Sequence, residues 1–387
     1  VIGQLQQAEG GGAAGGGGGG GAGGGAGGGG GGADVFARVT AAEEAEATPD
    51  LFKRVEAEYA EAQRPLAFDE LEMEATTSQG GYEHYYRQNI ADNPQGGIAK
   101  AKLKRLMREL GKLSEEGSLP VSAEGAIYVM RDASRVDVLK VLISGPADVL
   151  KPEQGETPYA LGLFEFHIFV PHDYPNVSPL VNLQTTGDGL VRFNPNLYSD
   201  GKVCLSLLGT WHGEGWVAPT TGNSGSTILQ VLVSIQSIIM VAKPYFNEPG
   251  YAEEEGTPAG EQRSREYNDN IRLATLRHAV RDMLRRPPVG FEQIVRSHFK
   301  LLRPVLERQV KRWVGEAQHD STRDAMLRTY AELQPLLDKL DGAAAPDAAA
   351  DAAAAAPAPA AAPATAAASS GADADGDVEM KQSDTPS

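Results

Sequence analysis

The chain has 387 residues, 41% of them hydrophobic and 22% charged, which is enough apolar material for a sizeable core, and its formal net charge is −17 at pH 7. A single cysteine excludes an intramolecular disulfide framework and any zinc site built on several thiolates, and it points to a reducing compartment, cytoplasm or nucleus. The acidity sits at the ends: residues 1–97 carry 15 acids against 5 bases, residues 341–387 carry 8 against 1, and residues 98–340 carry 29 of each. That distribution predicts solvated tails and leaves no basic patch of nucleic-acid-binding character.

In chain order, residues 10–33 are almost pure glycine with scattered alanine, a composition with high backbone entropy and nothing to bury. No secretory signal precedes them, and the start at Val1 suggests a fragment of something longer. The stretch "EEAEATPDLFKRVEAEYAEAQ" has helical composition, but no core is expected there, so residues 1–97 read as a disordered Gly-rich and acidic linker. "AKLKRLMRELGKL" places Leu103, Leu106, Met107, Leu110 and Leu113 at helical spacing with the basic residues on the other face. Four short runs follow, "GAIYVM", "VDVLKVLISGP", "LGLFEFHIFV" and "LVNLQTT", separated by turn residues, and they predict a four-strand antiparallel meander.

"TILQVLVSIQSIIMVA" is apolar nearly all round and predicts a helix buried in the core. It is too short and too interrupted by Gln and Ser to span a membrane. Its Thr227 and Gln230 stand at capping-box spacing. Helices are then expected at about 264–286, at 291–302, and as a pair from Pro304 to about Leu340. The Ala-rich end is broken by prolines and reads as a disordered tail over 341–387. The expected organisation is therefore α+β, with one folded domain over 98–290, a helical extension over 291–340, and disordered ends.

The lone thiol, Cys204, lies in "NPNLYSDGKVCLSLLGTW". A lone cysteine is ordinarily a small buried hydrophobe. Here "FNPN" reads as a turn eight residues upstream, and a return through "DGKVC" would bring the Asn196 amide to face the sulfur. A neutral amide donor beside a thiol suits stabilisation of the oxyanion formed when a thioester carbonyl is attacked. The alternative, a Cys–His pair of a hydrolase, would draw on His212, His167 or His172, none of which has a spacing that specifies a base.

The order of helix, four-strand meander, Asn-Pro-Asn turn, cysteine and core helix resembles the ubiquitin-conjugating (E2) family. "ETPYALGLFEFHIFVPHDYPNVSPLV" and "NPNLYSDGKVCL" carry the resemblance, which covers about Ile98 to Arg286. Within the family, "FNPNLYSDGKVCLSLLGTWHG", "PYFNEPGY" and "SREYNDNIRLAT" are similar to the giant E2/E3 hybrid type. The resemblance implies a UBC-like fold over 98–290, with Cys204 accepting ubiquitin from E1 and passing it to a substrate lysine. It implies that Asn196 stabilises the oxyanion or holds the loop, and that Glu248 orients the incoming amine. Partners would be ubiquitin, E1 and lysine-bearing proteins, with no cofactor, metal, nucleic acid or membrane.

Two departures from the family pattern stand out. Asn194 takes the place of the usual histidine, and Asn176 takes that of a large apolar residue which meets RING or HECT partners. With the inserted "GTWHGEGWVAPTTGNSG", the second departure puts ordinary E3 docking in doubt. The competing readings are a non-catalytic E2-like scaffold that binds ubiquitin and a cysteine hydrolase.

Overall fold

The computed structural model describes residues 48–74, 83–93, 99–147 and 156–342, all within a unit that ends at Gly342. The expected disorder of the Gly-rich run and of the Ala/Pro-rich tail falls on residues outside these. The helices are α1 (Thr48–Gln63), α2 (Arg87–Asp92), α3 (Lys100–Leu113), α4 (Ile228–Ser234, running on as a π-turn through Ile239), α5 (Pro258–Ala274), α6 (Asp282–Arg285), α7 (Glu292–Leu301), α8 (Arg303–Glu316) and α9 (Asp320–Gly342). The strands are β1 (Phe68–Leu71), β2 (Val121–Ser122), β3 (Gly125–Asp132), β4 (Val138–Ser144), β5 (Leu163–Phe169) and β6 (Leu180–Leu183).

Strands β3 to β6 form the expected antiparallel meander, with Val129 opposite Val141, Val141 opposite Phe166 and Phe166 opposite Leu183. Strand β1 adds to its edge in parallel, Phe68 beside Val129, and β2 pairs with the start of β3. The pleat sends alternate residues to opposite faces, and both faces are covered. Ile127, Val129, Val141, Phe166 and Ile168 pack with Leu106 and Leu110 of α3 and with Val231 and Leu232 of α4. Ala126, Tyr128, Met130, Leu142 and Phe169 pack with Leu51, Val55 and Tyr59 of α1 and with side chains of α7, α8 and α9.

That second layer corrects two of the expected boundaries. Residues 48–74 and 83–93, assigned above to a linker without a core, hold Leu51, Tyr59, Met73 and Ile90 at no more than 3% exposure. The Tyr59 hydroxyl bonds Tyr128 Oη at 2.8 Å and His298 Nδ1 at 2.7 Å, and His298 Nε2 lies 3.0 Å from the Leu161 carbonyl. Helix α1, the sheet and α7 are thus joined through one buried chain of polar groups. Downstream, residue 290 is no boundary, because Phe291, Phe299, Trp313 and Leu333 belong to the same core as the sheet.

Two helices also differ from their expected faces. On α3, Leu103 and Met107 are 40% and 57% exposed, while Lys102, Arg105 and Glu109 are buried. Pairing makes this possible: Lys102 donates to Asp137 Oδ2 at 2.8 Å and to the Val170 carbonyl at 2.7 Å, and Arg105 pairs with Glu109. Burial raises the Asp137 pKa, but Arg135 and Lys102 more than offset it and hold the carboxyl below its ordinary range. On α4 only one side meets the sheet, so Val233 and Ile238 stay exposed despite the apolar run. The Thr227–Gln230 capping box forms as expected.

Candidate active site

Asn194 to Leu197 close a tight turn, the Leu197 N–H donating to the Asn194 carbonyl at 2.9 Å, and Leu197 then pairs with Val203 as the chain returns. Phe193, Leu197, Val203 and Leu205 anchor this loop in the core beside β6 and α4. The return brings Asn196 and Cys204 together on both sides of the main chain. The Cys204 N–H donates to the Asn196 carbonyl at 2.8 Å, and Asn196 Nδ2 donates to the Cys204 carbonyl at 2.9 Å. The amide therefore braces the cysteine's own backbone instead of facing its sulfur, which corrects the orientation expected above. A short side-chain donor reaches a carbonyl eight residues on because the hairpin puts that carbonyl, and not Sγ, in line.

The thiol itself is free, and Cys204 is only 2% exposed. On its far side Thr210 completes the frame: Leu205 N–H donates to Thr210 Oγ1 at 3.0 Å, and that hydroxyl donates to the Val203 carbonyl at 2.8 Å. Sequence reasoning missed Thr210, although its place six residues after the thiol and just past Gly209, at φ 67°, marks a turn back toward it.

Asn194 is fully buried and uses its whole amide. Its Nδ2 donates to Tyr159 Oη at 2.9 Å and to the Ile239 carbonyl at 2.8 Å, while its Oδ1 accepts from Asn196 N–H at 2.8 Å. Tyr159 in turn donates to the Phe193 carbonyl at 2.8 Å. Asn194 thus supports the loop and has no spare group for reaction.

Glu248 follows the 3-10 turn Pro244–Asn247 and is half-buried. Its neighbour Asn247 donates to Asn194 Oδ1 at 3.4 Å, which ties this segment to the turn. Its own Oε2 lies 3.4 Å from Arg192 Nη2. Arg192, absent from the sequence reading, also donates to the Pro195 carbonyl at 2.6 Å and sits over the Tyr198 ring at 4.2 Å.

None of the histidines offered for a Cys–His pair bonds Cys204. His167 accepts from Tyr85 N–H and faces Glu165 Oε1, His172 pairs with Asp173, and His212 lies beside Trp211. Burial lowers the His167 pKa, Glu165 opposing it in part. Among the described residues, no group of three or more His, Cys, Asp or Glu is placed to hold a metal, and no helix is long and apolar enough to cross a membrane.

The inserted segment is fastened at its middle and at its C-terminal end. Trp216 Nε1 donates to the Pro175 carbonyl at 2.7 Å and its ring lies 5.6 Å from Tyr174, next to the exposed Asn176. At the C-terminal end Arg105 donates to the carbonyls of Ser224 and Ser226 at 2.7 and 2.9 Å. Glu109 accepts from Tyr174 Oη at 2.5 Å and from the Ile228 N–H at 2.9 Å, so α3 holds the insertion, the Tyr174 loop and the start of α4 together.

Residues 105–275 match the family model described as ubiquitin-conjugating enzyme. The chain is 44% identical over 287 residues to the dual E2 ubiquitin-conjugating enzyme/E3 ubiquitin-protein ligase BIRC6 of Mus musculus and of Homo sapiens, a match that takes in 73% of this chain and 6% of each relative. It is 44% identical over 237 residues to the probable ubiquitin-conjugating enzyme protein 17 of Caenorhabditis elegans, covering 60% of this chain and 30% of that protein. The chain thus spans only a small part of the length of these curated relatives. The matched span holds β3 to β6, the turn at Asn194, the braced cysteine and α4, and by these features the chain belongs to the ubiquitin-conjugating enzyme family.

Proposed function

We propose that this chain accepts ubiquitin from E1 as a thioester on Cys204 and transfers it to a substrate lysine. The reciprocal brace between Asn196 and Cys204 carries this reading, because it fixes the backbone of the single thiol while leaving Sγ free of hydrogen bonds. Charging exchanges one thioester for another: Sγ bonds the ubiquitin carbonyl carbon, the bond to the E1 sulfur breaks, and E1 leaves as a thiol. Transfer replaces that C–S bond with an amide C–N bond, and Cys204 leaves as thiolate. The Asn196 amide acts on both steps by holding the loop. A cytoplasmic or nuclear location accords with one unpaired thiol.

Incubation with E1, ATP and ubiquitin, resolved with and without reductant, tests the reading. A reductant-sensitive adduct of the full chain is expected. Cys204→Ala should remove it, and Cys204→Ser should give a reductant-resistant ester, since oxygen replaces sulfur in the same acyl link. An adduct surviving in the alanine variant would overturn the assignment.

We further propose that the chain works as part of an E2/E3 hybrid with little help from ordinary RING domains. Asn176 presents an amide where an apolar anchor would be needed, and Trp216 occupies the Pro175 carbonyl beside it.

A further inference from the structure

The geometry assigns Arg192 as a positioning residue for the transfer step, holding the Glu248 carboxylate against the cysteine-bearing loop so that it faces the acceptor amine in one orientation. The role rests on the thioester function proposed above. Three contacts carry it. One guanidinium nitrogen, Nη2, reaches both the Pro195 carbonyl at 2.6 Å and Glu248 Oε2 at 3.4 Å. The guanidinium lies over the Tyr198 ring at 4.2 Å, and Lys202 Nζ lies 5.6 Å from the same ring. The Tyr198 N–H donates to the Lys202 carbonyl at 3.0 Å, so that ring belongs to the hairpin that returns to Cys204 two residues later.

Arg192 thus links the Glu248 carboxylate to a loop 56 residues away in sequence. Without it, the half-exposed Glu248 side chain has no side-chain bond to the loop among the described residues. The remaining tie, from Asn247 to Asn194, fixes only the backbone beside it. An arginine serves this purpose better than a lysine, since a planar fork can meet a carbonyl and a carboxylate while its face rests on an aromatic ring. The guanidinium is not arranged for its own bonding alone, since Nε is buried and has no partner.

In the transfer step the acceptor nitrogen bonds the thioester carbon, the C–S bond breaks, and Cys204 leaves as thiolate. The proton lost by the amine passes to the Glu248 carboxylate and then to water. Arg192 touches no reacting atom and acts through Glu248.

The test is single-turnover discharge of the full chain, charged with ubiquitin and separated from E1, over a range of free lysine concentrations. Parent, Arg192→Met, Arg192→Lys, Glu248→Gln and the Met/Gln double variant are compared. Glu248→Gln should lower the maximal discharge rate by about 10²-fold or more, as for loss of a general base, and Arg192→Met by up to about 10²-fold, the cost of misplacing that base. The half-saturating lysine concentration should hardly move, and the double variant should be no slower than the slower single one. Arg192→Lys should fall between parent and Met, and it serves in the cycle with Glu248→Gln should the Met variant not fold.

Multiplicative losses in the double variant would mean that Arg192 supports the loop independently of Glu248, and would overturn the role. Discharge of Arg192→Met at the parent rate would do the same. A parent that never acquires the thioester would instead overturn the function itself, and this role with it.

Discussion

Replacing Tyr59 with phenylalanine removes one oxygen from the buried contact that joins α1 to the sheet and to α7. Its hydroxyl bonds Tyr128 Oη and His298 Nδ1, and all three residues are at most 1% exposed. The phenyl ring keeps the shape but leaves the Tyr128 hydroxyl and His298 Nδ1 without partners. A buried polar group left unsatisfied costs about 1–3 kcal/mol, so two such groups should cost roughly 2–4 kcal/mol after local relaxation. For a fold of this size that is a fall in Tm of about 4–15 °C.

Urea unfolding followed by tryptophan fluorescence should show a lower midpoint at unchanged m, with thioester formation at 20 °C unaffected because Val203 and Leu205, which flank Cys204, pack in the core on the other face of the sheet. A midpoint shift worth less than about 0.5 kcal/mol would refute the seating of α1 on the sheet. The same packing makes residues 48–74 and 83–93 part of the folded core rather than a dispensable linker. Deletion to residue 97 strips Leu51, Val55, Tyr59, Met73 and Ile90 from the core, at about 1.5–3 kcal/mol for each large apolar side chain, and should abolish cooperative unfolding.

Burial lowers the His298 pKa to about 4, the Leu161 carbonyl opposing it in part, against an ordinary value of 6.5. Because the folded state resists the proton, stability is full above pH 6.5, falls as the unfolded chain protonates, and flattens near pH 4. The drop should be about 1.5 kcal/mol between pH 6.5 and 5, and His298→Gln should remove that part of the slope; an unchanged slope would exclude the histidine. Asn196→Ala should slow charging and lysine discharge alike, by about tenfold or more, because both steps use the same braced sulfur. Loss confined to discharge, by about 10²–10³, would place the amide on the oxyanion instead. A panel of RING domains should stimulate lysine discharge weakly in the full chain and more in Asn176→Phe, whose ring can add about 1.5–3 kcal/mol of burial. Strong stimulation of the unmodified chain would sink the hybrid reading.

The meander was legible in the sequence because a strand between two apolar layers carries its own signal, a short near-continuous apolar run ended by Gly, Pro and Asp. The thiol and its turn were legible for a related reason, since a tight Asn-Pro-Asn turn and an eight-residue return are local geometry. Strand β1, "FDEL", gave no such signal: it is short, half charged, and exists only because β3 offers it a parallel edge. On α3 the counting of apolar positions misplaced the buried face, since Lys102, Arg105 and Glu109 go inside only where Asp137, the Val170 carbonyl and the Tyr174 hydroxyl wait for them. Arg192 is the plainest case. In its own stretch it is an unremarked surface base, and only the tertiary fold sets Glu248, 56 residues away, beside it. Periodicity and turn chemistry depend on neighbours in sequence and can be read there; the pairing of charges and the covering of a face depend on partners that folding alone brings near.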